Sequence, residues 1–220
     1  MRSEVSTALK RLDTILPLQA GLKALNDNDA ALYCQLLQSY VERGRTLARD
    51  EVADSIDDAD QALKNLVESK LIVLDDDGNP AGAYPFTSQE REHKIHIDDV
   101  TTHCMCALDA LAVSPMFNVP TIIDSQCRAT GEKIHIEQNG VSFTGGTLDA
   151  WFGINWGAAR DDITCAESLC MEMMFLANEA VAGEWLAESP ETREIFNLTS
   201  AVEFAAGFFV PLAQNCRQAA

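Results

Sequence analysis

Leu71-Ile72-Val73-Leu74-Asp75-Asp76-Asp77-Gly78-Asn79-Pro80 sets a short apolar strand against a run of turn-forming residues. Asp, Asn and Gly supply the local hydrogen bonds and the backbone freedom that a reversal needs, so a return strand is expected near Ala83 to Phe86. Upstream, residues 46–53 read as a short capped helix, and residues 57–69 as a second with Ala62, Leu63, Leu66 and Val67 inward. Two more helices precede these. Residues 6–25 carry Leu9, Leu12, Ile15, Leu16 and Leu18 on a helix weakened at Pro17, and residues 28–41 place Ala31, Leu32, Leu36, Leu37 and Tyr40 inward.

Helix, turn, helix and hairpin make a winged-helix arrangement, a form common among DNA readers. The charge argues against that use. The second helix sets Asp57, Asp58, Asp60 and Glu68 against Lys64 and Lys70, so most of its length repels phosphate. Residues 1–80 are therefore expected to form a winged-helix-like domain that does not bind DNA, followed by a catalytic domain over residues 81–220.

Beyond Tyr84 sheet dominates. Lys94-Ile95-His96-Ile97 and Lys133-Ile134-His135-Ile136-Glu137 alternate as strands, residues 121–125 form another, and Asn139-Gly140 signals a hairpin into residues 141–143. A strand is expected over residues 151–156, and helices over 101–112, 165–177, 181–188 and 201–212. The fold class is thus α+β: a winged-helix-like N-terminal part, then a mixed or antiparallel sheet flanked by helices.

The 220 residues carry 47% apolar and 23% charged side chains, ordinary for a globular protein, but the net charge is −18. Acidic residues are spread along the chain, which disfavours nucleic acid or anionic membranes as partners. No apolar signal core opens the sequence and no stretch is long enough to span a bilayer, so a cytoplasmic location is expected, with the seven cysteines mainly reduced. Seven is odd, which excludes complete internal pairing.

Chemistry concentrates in His103-Cys104-Met105-Cys106-Ala107-Leu108-Asp109-Ala110-Leu111. If a helix begins near Ala107, Cys106 and Asp109 share a face, three residues apart. Cys104-Met105-Cys106 is too tightly spaced for a zinc knuckle and lacks a second pair, and no thioredoxin-like Cys-x-x-Cys occurs. A buried cysteine is most often a small hydrophobe, and an aspartate often a cap. Asp109, however, lies in the apolar run Ala107, Leu108, Ala110, Leu111, Ala112, Val113, where an unpaired carboxylate costs several kcal/mol, roughly. Desolvation would raise its pKa toward neutrality and fit it for proton transfer.

Together with Ile97-Asp98-Asp99, Ser125-Gln126-Cys127-Arg128-Ala129-Thr130-Gly131 and Ser168-Leu169-Cys170 followed by Phe175 and Trp185, this motif resembles the alkylmercury (organomercurial) lyase family over most of the chain. The resemblance implies that Cys106 and Cys170 bind mercury, with Asp109 as proton shuttle and a further candidate ligand, and that Cys127 is structural. It also implies protonolysis of R-Hg-X to hydrocarbon and Hg(II), with no resident cofactor. Expected partners are organomercurial small molecules, low-molecular-weight thiols that strip the product, and a mercuric reductase that receives it. Met171 stands where some relatives have a second cysteine, and His103 where tyrosine is common.

The rival reading is a noncatalytic soft-metal protein that traps mercury or copper, and a third is a metal-responsive regulator; a trap needs no Asp109. Cys165 is expected on a different helix face from Cys170, and Cys34 and Cys216 in terminal helices, all three as bystanders. Cys104 stays open, as a neighbour pointing elsewhere or as a thiol near enough to take metal. His96 and His135 are expected to be solvent-facing or satisfied strand residues.

Overall fold

The computed structural model describes residues 2–219. Five helices open the chain: α1 (Ser3–Ile15), α2 (Leu18–Ala24), α3 (Asp27–Arg43), α4 (Arg49–Ser55) and α5 (Ala59–Glu68). Each start or stop has a local cause. Pro17 separates α1 from α2, the Asn26 side chain accepts from the Asp29 amide to cap α3, and Gly44 closes α3 at φ 71°. On α5, Ala62, Leu63 and Leu66 are buried, whereas Val67, expected inward, is 40% exposed.

The hairpin follows as β1 (Ile72–Leu74) and β2 (Pro80–Ala83), with the Asp75 carboxylate accepting from the Asp77 and Asn79 amides inside the turn. Next come β3 (Phe86–Thr87), β4 (Lys94–Ile97), β5 (Val100–Cys104), α6 (Ala107–Phe117), β6 (Pro120–Gln126), β7 (Lys133–Asn139) and β8 (Ser142–Gly146). These strands make one antiparallel sheet in the order β1-β2-β3-β5-β4-β6-β7-β8, so hydrogen bonding runs unbroken from the hairpin into the later strands. A second antiparallel sheet is ordered β10-β9-β11, from β9 (Trp151–Asn155), β10 (Met173–Leu176) and β11 (Arg193–Asn197). Helices α7 (Glu179–Ala187) and α8 (Leu198–Ala219) complete the chain. The architecture is α+β with antiparallel sheets and flanking helices.

Helix α6 lies at the centre, buried on all sides from Ala107 to Ser114 and packed against α8. Its composition explains the position: alanine, leucine and valine leave no polar face to offer water. Pro115 cannot donate to the Leu111 carbonyl, and the buried Gln138 side chain from β7 supplies that bond instead at 2.9 Å. Ser114 Oγ, itself bonded to the Val119 carbonyl at 2.6 Å, accepts from the Gly140 amide at 2.8 Å. The turn end of the β7–β8 hairpin is thereby tied to α6 at two points, which fixes the helix against the sheet.

Several expectations are corrected. The helix expected over residues 101–112 begins at Ala107, because Val100–Cys104 alternates in exposure and pairs with β4 as a strand. The helix expected over residues 165–177 is replaced by two 3-10 turns, Cys165–Glu167 and Leu169–Glu172, and then β10. Ser168 sits between the turns at φ −120°, ψ −94°, which stops helical propagation. Cys34 on α3 and Cys216 on α8, expected to be bystanders, form a disulfide, because the end of α8 runs alongside α3. Cys104, Cys106, Cys127, Cys165 and Cys170 remain free thiols.

Candidate active site

Cys106 is the N-cap of α6, in extended backbone geometry, and Asp109 is the third helical residue. A cap position needs a short side chain that accepts from an otherwise orphaned amide, the task usual for Ser or Asp. Here a sulfur does it: the Asp109 amide donates to Cys106 Sγ at 3.5 Å. In return the Cys106 thiol donates to Asp109 Oδ2 at 2.8 Å, so the pair closes on itself in the manner of a capping box. Helix initiation and thiol–acid pairing thus use the same two residues.

Cys170 arrives from the second 3-10 turn, just before β10. The Sγ atoms of Cys106 and Cys170 and a carboxylate oxygen of Asp109 all lie within 4.8 Å of one another, and the three residues are only 1–3% exposed. Met173 Sδ lies 3.5 Å from Cys106 Sγ, adding a soft thioether at the edge of the cluster. Two arginines hold the turns in place. Arg91 Nη1 donates to the Met105 carbonyl at 3.0 Å and the Ala166 carbonyl at 3.1 Å, joining the residue before Cys106 to the turn before Cys170. Arg128 donates to the Met171 carbonyl and, through Nη2 at 2.5 Å, to Glu92.

Burial sets the electrostatics. Desolvation pushes Asp109 up to about 7, against the opposing pull of its bond to Cys106 and of the Arg91 charge. Cys106 is pushed up to about 11, again by desolvation first, although a hydrogen bond from Cys170 favours its thiolate. Cys170 is raised well above an ordinary thiol, by its bonds to Cys106 and Cys165 and by burial. These shifts favour protons on sulfur near neutral pH, with a carboxyl poised near neutrality beside them. A soft cation that replaces the thiol protons changes that balance.

All three residues singled out in the sequence, Cys106, Asp109 and Cys170, meet here. Cys127 is buried elsewhere, its amide and carbonyl bonded to Glu132 and Gly131 in the turn before β7. Cys104 is buried on β5, paired with Phe86, and is not one of the clustered residues. Cys165 is corrected: with no helix to turn it away, its Sγ lies 3.7 Å from Cys170 Sγ. His96 and His135 flank Asp124 on the outer sheet face at 3.0 and 2.7 Å, as satisfied strand residues. Sequence reading missed Arg91, and it missed Tyr84, a buried phenol whose pKa is pushed up first by burial and then by the charges of Cys170, Cys165, Asp109 and Cys106. Neither carries a local signal, since each reaches the site only through the fold.

Among solved structures, the chain is similar to the mercury-bound form of MerB2, with a TM-score of 0.73 and 20% identity over 93% of this chain and 99% of that one. That likeness is one of fold. A comparison with curated proteins found no match. The family model described as alkylmercury lyase, MerB, matches residues 86–210, more than half of the sequence and the whole stretch that carries Cys106, Asp109 and Cys170, and the chain belongs to the alkylmercury lyase family.

Proposed function

We propose that this enzyme, an organomercurial lyase by family, cleaves the carbon–mercury bond with Cys106, Cys170 and Asp109 as its reacting groups. The observation that carries the assignment is the 2.8 Å contact from the Cys106 thiol to the Asp109 carboxyl inside a buried cluster that includes Cys170. Soft thiolates bind soft mercury and push electron density toward the attached carbon, which must then receive a proton. Cys170 exchanges its thiol proton for mercury, releasing HX and giving Cys170-S-Hg-R. Cys106 passes its proton to ionised Asp109 and binds the same mercury. Asp109 returns that proton to carbon, which leaves as R-H while the two sulfurs keep Hg(II). Atoms and charge balance, and the carboxylate ends as it began.

The pKa near 7 suits this double duty, because the same group must accept and donate near neutral pH. The reaction needs no resident cofactor in this reading; low-molecular-weight thiols strip the bound Hg(II), and a mercuric reductase is its onward acceptor. Residues 1–80 are read as a winged-helix-like module that covers the catalytic part and does not read DNA, supported by the acidic residues Asp57, Asp58, Asp60 and Glu68 along α5 and its approach. No described helix is long and apolar enough to cross a membrane, and a cytoplasmic site of action is part of this proposal, in keeping with the free thiols Cys104, Cys106, Cys127, Cys165 and Cys170. The test is to mix protein with phenylmercuric salt and excess small thiol and to measure benzene. Catalytic benzene release is expected; stoichiometric mercury uptake without benzene would mark a metal trap instead.

A further inference from the structure

We propose that Cys165 and Cys170 form a second mercury-holding pair, a release station through which Hg(II) leaves the cleavage site. The inference rests on the cleavage reading above for the origin of the metal, and on separate geometry for the pair. The Sγ atoms of Cys165 and Cys170 are 3.7 Å apart, on consecutive 3-10 turns. Cys170 therefore sits between two thiols: Cys106 on its buried side and Cys165 on the other.

Exposure gives the arrangement a direction. Cys106 and Cys170 are 1% and 3% exposed, whereas Cys165 is only partly buried and follows a solvent-exposed run from Arg160 to Thr164. Arg91 grips the Ala166 carbonyl, so the residue next to Cys165 is fixed to the same frame that holds Met105 beside Cys106. An external thiol attacking a metal held between Cys106 and Cys170 must enter a closed site; one attacking a metal held between Cys165 and Cys170 meets it at the edge.

The exchange balances without an oxidant or reductant. In the first step the Cys165 sulfur binds mercury, the Cys106–mercury bond breaks, and the proton lost from Cys165 ends on Cys106. In the second, two external thiols each bind mercury and give their protons to Cys165 and Cys170, so that Hg(SR)2 departs and both thiols are restored. Cys106 and Asp109 are by then reset for another substrate. Soft thiolate ligands at each stage keep mercury from ever being held by water alone.

Two measurements test the pair. Cys106→Ser protein is loaded with one equivalent of mercuric chloride and its sulfur ligands counted by X-ray absorption. Two sulfurs are expected, and in Cys106→Ser/Cys165→Ser only one, with mercury then lost to a competing small thiol about a hundredfold more readily as the chelate is broken. A single sulfur in Cys106→Ser, or two in the double variant, overturns the proposal. In Cys165→Ser, the ratio of the first-equivalent benzene rate to the steady turnover rate should rise about tenfold, since only release is slowed. An unchanged ratio overturns the proposal too. Absence of benzene from the unaltered enzyme would instead defeat the cleavage reading, and the sulfur count in Cys106→Ser still decides the pair.

Discussion

The two arms of the site are built by opposite means. Cys106 and Asp109 stand at the start of a regular helix, where the sulfur that pairs with the carboxyl also caps the helix through the Asp109 amide. Cys170 stands on a short 3-10 turn whose own bonds reach only to near neighbours, and it is tied to the rest of the site from outside, by Arg91 and Arg128 on backbone carbonyls. The helical arm carries its geometry in three consecutive spacings of sequence. The turn arm borrows its geometry from side chains more than 40 residues away. In the proposed mechanism the proton transfer falls to the first arm, and the second supplies the thiol that captures mercury first and from which it is released.

The sharpest way to break this division is Asp109→Asn. The amide keeps the shape and can still meet the cap sulfur, but it can neither take the Cys106 proton nor give one to carbon. Benzene release should fall about a thousandfold, within the usual worth of general acid–base catalysis, while mercury binding persists. A variant that still turns over at the normal rate would falsify the division of labour.

The same substitution has a pH signature in stability. Asp109 ionises near 7 in the fold and near the ordinary carboxylate value when unfolded, so between about 4 and 7 the unfolded chain gives up a proton that the folded one keeps. Stability contributed by this group is therefore present at acid pH, falls as pH rises through that window, and is flat above it. Denaturant titrations should show Asp109→Asn gaining on the unaltered protein from pH 4 to 7 and holding a constant lead at pH 8. A lead that shrinks with rising pH would reverse the assigned cause, burial.

What the sequence made legible follows the same line. Cys106 to Asp109 could be read because helix periodicity and burial cost act within one turn, and Asp109 in an apolar run had to be explained. Cys170 was visible as a downstream cysteine but received its role only through a family resemblance, and its surroundings were misread as a helix. The run Met173-Met174-Phe175-Leu176 is buried at every position, and a fully apolar segment does not declare its period; it became a strand because β9 offered it backbone partners. Placing Cys165 on a helix turned it away from Cys170, when the real 3-10 turns bring the sulfurs together. The hairpin at 71–80 was legible for the opposite reason, since Asp75 builds its turn with its own neighbours.

Arg91 and Arg128 allow the turn arm to be weakened in steps. Arg91→Met removes the only described side chain that binds both the Met105 and Ala166 carbonyls, and leaves two partly buried acceptors without that donor. Cys106 and Cys170 lose their common reference, and a misplacement near 1 Å costs up to about a hundredfold in rate. We expect a loss of about thirtyfold in kcat, with partial recovery in Arg91→Lys, and mercury stoichiometry unchanged.

Arg128→Met should cost far less. Its side chain is one-third exposed, it grips one arm alone through the Met171 carbonyl, and its ion pair with Glu92 is shared with solvent. The loss falls on the residue after Cys170 and touches neither Cys106 nor Asp109 directly, so the capture geometry is loosened while the proton path is left intact. The expected result is a threefold or so rise in KM for phenylmercuric salt with kcat nearly constant, the pattern of lost binding that is equal in ground and transition states. If kcat falls as steeply as in Arg91→Met, the turn arm must take part in the chemical step itself, and the separation of proton transfer from metal capture does not hold.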